Sequence, residues 1–261
     1  MTIIHFSHAN GFPAPCYRKL FAALGDDLQI GYLERIGHDP RFPITDGWGH
    51  LVEELMHAIE SRWRQPVLGV GHSLGGFLTA IAAARRPELF RGIILLDAPI
   101  LSRFRGSAMQ FIKHIGLIDR MTPAGITRNR RREWPSREAA LAHFRRRRVF
   151  AKFDPECLQD YVRYGLVESE HGGVRLWFDP QLEYQIYRTL PHDIGRAVHK
   201  LRVPAGFIGG RDSTVVKQMG LRLTERHFRV ASVPGGHHFP FQLPDVAASA
   251  IRRMAQDLGA L

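Results

Sequence analysis

Two cysteines in 261 residues, Cys16 and Cys157, make neither a disulfide framework nor a CxxC pair. Two reduced thiols in a cytoplasmic protein are therefore expected. No apolar run approaches the roughly 18 residues that a membrane span requires. The opening Met1-Thr2-Ile3-Ile4-His5-Phe6 has no basic segment ahead of its apolar run, so no signal peptide is expected. HExxH and paired-carboxylate clusters are missing too, and the expectation is a protein with neither metal nor organic cofactor. Internal repeats and low-complexity linkers are also lacking. What remains is one large α/β domain, or a domain carrying an insertion.

The charge balance is basic, with 36 Lys+Arg against 25 Asp+Glu and a net charge of +11. Much of the excess is local, in Arg128, Arg130, Arg131 and Arg132 and in the run from Arg145 to Arg148. Such clusters suit nucleic acid, an anionic membrane or an acidic substrate. No nucleic-acid motif or interleaved aromatic residue accompanies them, so nucleic acid is not the expected partner. The plainer reading is a solvated helix face. If the arginines recruit an anionic substrate, KM should climb with salt.

Short apolar runs alternate with helical patterns, which predicts an α/β fold with a mostly parallel sheet. The strand candidates are Thr2 to Ser7, Leu28 to Leu33, Val67 to Val70, Gly92 to Leu96, Val203 to Ile208 and Phe228 to Val233. Helices are predicted over Cys16 to Leu24, Gly47 to Arg62, Leu74 to Arg85 and Asp245 to Leu258. From Leu101 onward the alternation stops in an Arg-rich, mostly helical stretch interrupted by Pro123, Pro135, Pro155 and Pro180. This is too long for an ordinary connection. The predicted organisation is a core over 1–100, a mainly helical cap over 101–192 and a second core segment over 193–261.

Gly71-His72-Ser73-Leu74-Gly75 fits GxSxG and follows the apolar run Val67 to Val70. A serine on a sharp strand-to-helix turn needs neighbours without side chains, and the turn lifts its hydroxyl above the sheet. Serine is a weak nucleophile until a base takes its proton. The last candidate strand runs into Pro234-Gly235-Gly236-His237-His238, which brings an imidazole to the same edge. Asp212 holds the matching place after Gly209-Gly210, and Asp97 follows the strand that comes next after the serine. Either carboxylate could fix the imidazole tautomer; the chain order Ser, Asp, His and the glycine turn favour Asp212.

Together these features resemble the α/β-hydrolase superfamily, in its cap-containing, serine esterase or lipase-like form, over nearly the whole chain. The resemblance implies Ser73 as nucleophile, His237 as base because it directly follows the loop glycines, and Asp212 as acid. Phe6-Ser7-His8-Ala9-Asn10-Gly11-Phe12-Pro13 looks like the family's oxyanion loop. It implies donors at the backbone N–H groups of Asn10 and Leu74; Ala9 stands where glycine is usual, which leaves Gly11 and Phe12 as alternatives. The two further strands with which family members generally begin are missing, so a sheet of about six strands with an exposed edge is expected. The protein would be a monomer or homodimer. Phe12, His72, Trp177 and His238 are expected to line the pocket, with Phe178 an alternative to Trp177.

The implied chemistry is hydrolysis of a small-molecule ester, thioester or lactone through an acyl-serine. Its activity should rise with pH through one ionisation near the ordinary histidine value of about 6.5. Cofactor-free perhydrolysis, carbon–carbon cleavage or a lyase reaction on the same scaffold is the alternative, as is a non-catalytic receptor.

Overall fold

The structure, a computed structural model, describes residues 1–101, 107, 113, 118–122 and 124–261. Its strands are β1 (Thr2–Ser7), β2 (Leu28–Tyr32), β3 (Val67–His72), β4 (Phe90–Leu96), β5 (Glu133–Trp134), β6 (Leu166–Glu168), β7 (Val174–Leu176), β8 (Ala205–Gly210) and β9 (Arg229–Val233). Six of them form one sheet in the order β2-β1-β3-β4-β8-β9, with every adjacent pair parallel. The longer helices are α1 (Arg18–Leu24), α2 (Gly49–Arg62), α3 (Leu74–Arg85), α4 (Arg137–Arg145), α5 (Pro155–Tyr164), α6 (Pro180–Arg188) and α7 (Pro244–Asp257).

Alternation along each strand sorts the core into two layers. Ile4, Phe6, Val70, Ile94 and Leu96 pack beneath α1 and α7, together with Leu20, Leu24, Ile251 and Met254. Ile3, Val67, Ile93 and Leu95 face α2 and α3, where Leu51, Leu55, Leu78 and Ile81 meet them. Helices on both faces are what a parallel sheet requires, and its strands accordingly read as nearly unbroken apolar runs. The sheet has the expected six strands, but its edge is β2, and β1 lies inside. Both cysteines are free and buried. Among the described residues no helix is long and apolar enough to cross a membrane.

The stretch between β4 and β8 contains α4, α5 and α6, as its helical pattern predicts, and also a small antiparallel sheet in the order β5-β7-β6. Its prolines start helices as well as interrupting the pattern. Pro155 and Pro180 each occupy a first helical turn behind a capping aspartate, Asp154 and Asp179. Pro123 lies outside the described residues. Trp134, Phe144, Phe150, Tyr161 and Leu176 join the same apolar cluster as Phe6 and Leu20, so this stretch shares its core with the α1–α7 layer.

One buried acid in α2 carries a stability prediction. Glu54 is 4% exposed, and burial pushes its carboxyl up to about 7, against the pull of the Gly37 N–H. The folded state therefore holds this proton over a pH range in which the unfolded chain has released it. The stabilisation is complete below pH 4.5 and is lost as pH rises through 7. Glu54→Gln should remove that decline and raise stability at pH 8 by at most roughly 3 kcal/mol. Urea melts of both proteins at pH 5 and pH 8 check this; parallel shifts of the two would refute it.

Candidate active site

Ser73 joins β3 to α3 with φ 53° and ψ −114°, a conformation that L-residues rarely hold. Its amide donates to the Leu96 carbonyl at 3.0 Å. The glycines around it are imposed by crowding. A Cβ at Gly71 would lie 2.3 Å from the Gly75 carbonyl oxygen, and one at Gly75 only 2.0 Å from that of Ser7. A Cβ at Gly76 would meet Ala98 at 2.6 Å.

The Ser73 hydroxyl donates to His237 Nε2 at 3.0 Å, and His237 Nδ1 donates to Asp97 Oδ2 at 2.7 Å. Asp97 is fully buried. It also accepts from the Gly210 N–H at 2.8 Å and from the Ser213 hydroxyl. Burial alone would raise its carboxyl, but the hydrogen bonds from His237, Ser213 and Gly210 carry it below the ordinary aspartate value. An ionised acceptor at Nδ1 leaves Nε2 free to accept from serine.

This arrangement corrects the expectation for Asp212, which is exposed and is not the partner of His237. β4 lies between β3 and β8, so its carboxyl end is one strand nearer to Ser73. The β8 loop supplies donors to that acid in place of a carboxylate.

At the end of β1, Ala9 to Phe12 form a tight turn closed by Phe12 N–H to the Ala9 carbonyl at 3.1 Å. Gly11, at φ 77°, occupies the position where glycine is favoured. The Asn10 amide takes no part in the turn's own bond, and the Leu74 amide opens α3, where no carbonyl one turn earlier can receive it. His8 fixes the turn from behind: its Nδ1 donates to the Ala9 carbonyl at 2.8 Å and its Nε2 accepts from Ile36 N–H at 2.8 Å.

A second chain of bonds ties this turn to the His237 loop. Ala9 N–H donates to the Tyr17 oxygen at 3.2 Å, and the Tyr17 hydroxyl donates to His72 Nδ1 at 2.7 Å. His72 Nε2 then donates to the His237 carbonyl at 2.9 Å. The expectation that His72 lines the pocket is corrected: it is 0% exposed, with both ring nitrogens engaged by Tyr17 and the His237 carbonyl. Burial, then the neighbouring His237, hold it neutral with its pKa lowered to about 3.

Phe12 and His238 do adjoin the histidine loop, with rings 5.1 Å apart; Phe12 also packs on Phe241 at 5.2 Å. Trp177 instead lies under the Arg35 guanidinium at 4.5 Å, and Phe178 packs against His8 at 5.8 Å. Tyr17 and Ser213 were missed, because neither sits in a motif that marks it.

One member of each arginine cluster, Arg131 and Arg147, borders the Trp134–His143 pair, whereas Arg128 lies over Tyr184 and Arg130 meets Glu183. Arg147 Nε donates to His143 at 3.2 Å, while Arg131 lies 5.7 Å from the Trp134 ring, itself 5.4 Å from His143. Desolvation, then Arg147 and Arg131, lower the pKa of His143. Arg131, Arg132 and Arg145 to Arg148 are all exposed.

Known proteins resemble this chain in sequence and in fold. Abhydrolase domain-containing protein AFT2-1 of Alternaria alternata is 32% identical over 119 residues, 43% of this chain and 40% of that protein. Type I acyl-CoA thioesterase mpaH of Penicillium roqueforti is 33% identical over 110 residues, 42% of this chain and 23% of that one. The chain thus matches well under two thirds of the length of either relative. Among solved structures, E-2-(Acetamidomethylene)succinate Hydrolase superposes with a TM-score of 0.78 at 20% identity, covering 98% of this chain and 91% of that one; such a likeness speaks for the fold alone. The pattern of the Alpha/beta hydrolase family itself matches residues 6–250, a span enclosing Asn10, Ser73, Asp97 and His237. The chain belongs to the alpha/beta hydrolase family.

Proposed function

We propose that the protein is a serine hydrolase that cleaves a small-molecule ester or thioester through an acyl-serine. Ser73 attacks the carbonyl carbon as its proton passes to His237 Nε2, and Asp97 steadies the imidazolium. The N–H groups of Leu74 and Asn10 receive the charge that develops on the carbonyl oxygen. His237 then protonates the leaving group, and water repeats the sequence to release the acid. The observation supporting this reading is the continuous line from the Ser73 hydroxyl through His237 to buried Asp97. Residues 101–192 serve as the cap in this reading, and Phe12 and His238 border the acyl site.

Within this class a thioester is favoured by the match to an acyl-CoA thioesterase and by a structural neighbour described as the Thioesterase Domain From Curacin Biosynthetic Pathway. The arginine patch around His143 suits an anionic leaving group. Turnover of matched neutral-ester and acyl-CoA series, with a fluorophosphonate label mapped by mass spectrometry, tests the proposal. Label on Ser73 together with turnover is the expected result. A protein that neither labels nor turns over any substrate is a receptor. KM for the acyl-CoA should rise several-fold between about 50 and 500 mM salt while that of the neutral ester stays level. Equal responses would remove the patch from substrate recognition.

A further inference from the structure

The turn after β1 is held from the far side by the stretch between β4 and β8. The Asn10 side-chain amide donates to the Glu183 carbonyl at 3.0 Å, and the Tyr161 hydroxyl donates to the Gly11 carbonyl at 3.4 Å. Glu183 presses on the turn so closely that a Cβ at Gly11 would lie 2.6 Å from its Oε1. Its other oxygen, Oε2, sits 2.8 Å from Arg130 Nη2. Glu183 is only 5% exposed. Burial pushes its carboxyl up, and the Arg130 charge pulls it back toward ionisation.

An ion pair with one partner buried and the other mostly so is seldom kept for stability, because desolvating the charges offsets most of their attraction. Its value lies in fixed geometry. Oxyanion donors work only when they stand within hydrogen-bond reach of an oxygen whose charge is still growing, and small displacements forfeit much of their effect. The Asn10 amide and the Gly11 carbonyl belong to one turn, and Glu183 with Arg130 and Tyr161 forms the wall behind it.

We propose that the Arg130–Glu183 pair is a clamp that sets the oxyanion turn Ala9–Phe12 against Ser73, making Glu183 a positioning residue supplied by the cap. The inference rests on the reading of the Asn10 N–H as an oxyanion donor. Glu183 meets no substrate in this role. It acts through the turn, so the core's serine and histidine are complete without it while the donor is not.

Labelling of the wild-type enzyme at Ser73 comes first, since its failure removes the hydrolase reading and the clamp with it. In a labelled, active enzyme, Glu183→Gln should lower kcat by about tenfold to a hundredfold, less than complete loss of an oxyanion donor, with KM within about twofold. Affinity for a trifluoromethyl ketone, whose adduct places an oxyanion on the same donors, should fall by the same factor. The double variant R130M/E183M removes both charges together and should stay folded with the same losses. Wild-type kcat and ketone affinity in either folded variant, with Ser73 still labelling, would overturn the clamp and leave the hydrolase reading intact.

Discussion

Asp97→Asn is expected to lower kcat about 10⁴-fold with little change in KM, whereas Asp212→Asn should behave as wild type. Asparagine is the replacement best suited to the backbone here, because Asp97 has φ 49° and asparagine tolerates the left-handed region better than most residues. What it loses is the ionised acceptor. The imidazole then has no reason to keep its proton on Nδ1, and a protonated Nε2 cannot accept one from Ser73. Binding is untouched, so the loss falls on the chemical step. Steady-state kinetics on both variants, with circular dichroism as a folding control, decides the matter. An Asp212→Asn enzyme as impaired as Asp97→Asn would sink the assignment of the acid to β4.

The second large effect is on stability in mild acid. His5, His8 and His72 are each at most 1% exposed. Burial lowers their pKa values to about 3, about 4 and about 3, with Arg62 adding to the shift at His5 and His237 to that at His72; His8's own bond to Ala9 acts the other way. The unfolded chain binds these protons near pH 6.5, so it holds more protons than the native state at any pH between the two values. Stability from these three groups is therefore complete above pH 6.5 and is lost as pH falls toward 4 and 3. At pH 5 each contributes a loss of roughly 2 kcal/mol, about 6 kcal/mol in all. That is comparable to the whole stability of an ordinary domain, about 5–15 kcal/mol. Glu54 works in the opposite direction, regaining roughly 2 kcal/mol as pH falls from 7 to 5, which leaves a net loss of roughly 4 kcal/mol. The urea midpoint should collapse between pH 7 and pH 5, and His5→Gln, which keeps a side-chain amide near Trp63, should flatten the slope. A midpoint unchanged over that interval would contradict the burial argument.

Much of the core is legible in the sequence because parallel strands buried on both faces announce themselves as apolar runs, and Gly71 and Gly75 stand where any side chain would strike backbone. β5, β6 and β7 are two or three residues long, too short to show alternation, so the stretch around them reads as helical. The acid was misplaced for a different reason. Asp97 and Asp212 both follow strands that end at the same edge, and only the spatial order of β3, β4 and β8 says which lies closer to Ser73. The bond between Asp97 and His237 joins residues 140 apart, and that between Asn10 and Glu183 residues 173 apart. No local pattern encodes either. Tyr17 is likewise an ordinary aromatic until the fold sets its hydroxyl between Ala9 and His72.

The placement of Asp97 also changes what the loop after β8 is free to become. That loop contributes a peptide N–H and a serine hydroxyl, and its own aspartate faces water. Neighbouring strand ends thus offer two addresses for one negative charge, and a lineage could relocate the charge by exchanging a carboxylate for a donor across the β4–β8 pair. The histidine and serine would stay where they are. On the proposed mechanism a change at Asp212 would leave catalysis alone, while one at Ser213 would be felt through its partner Asp97 on the adjoining strand.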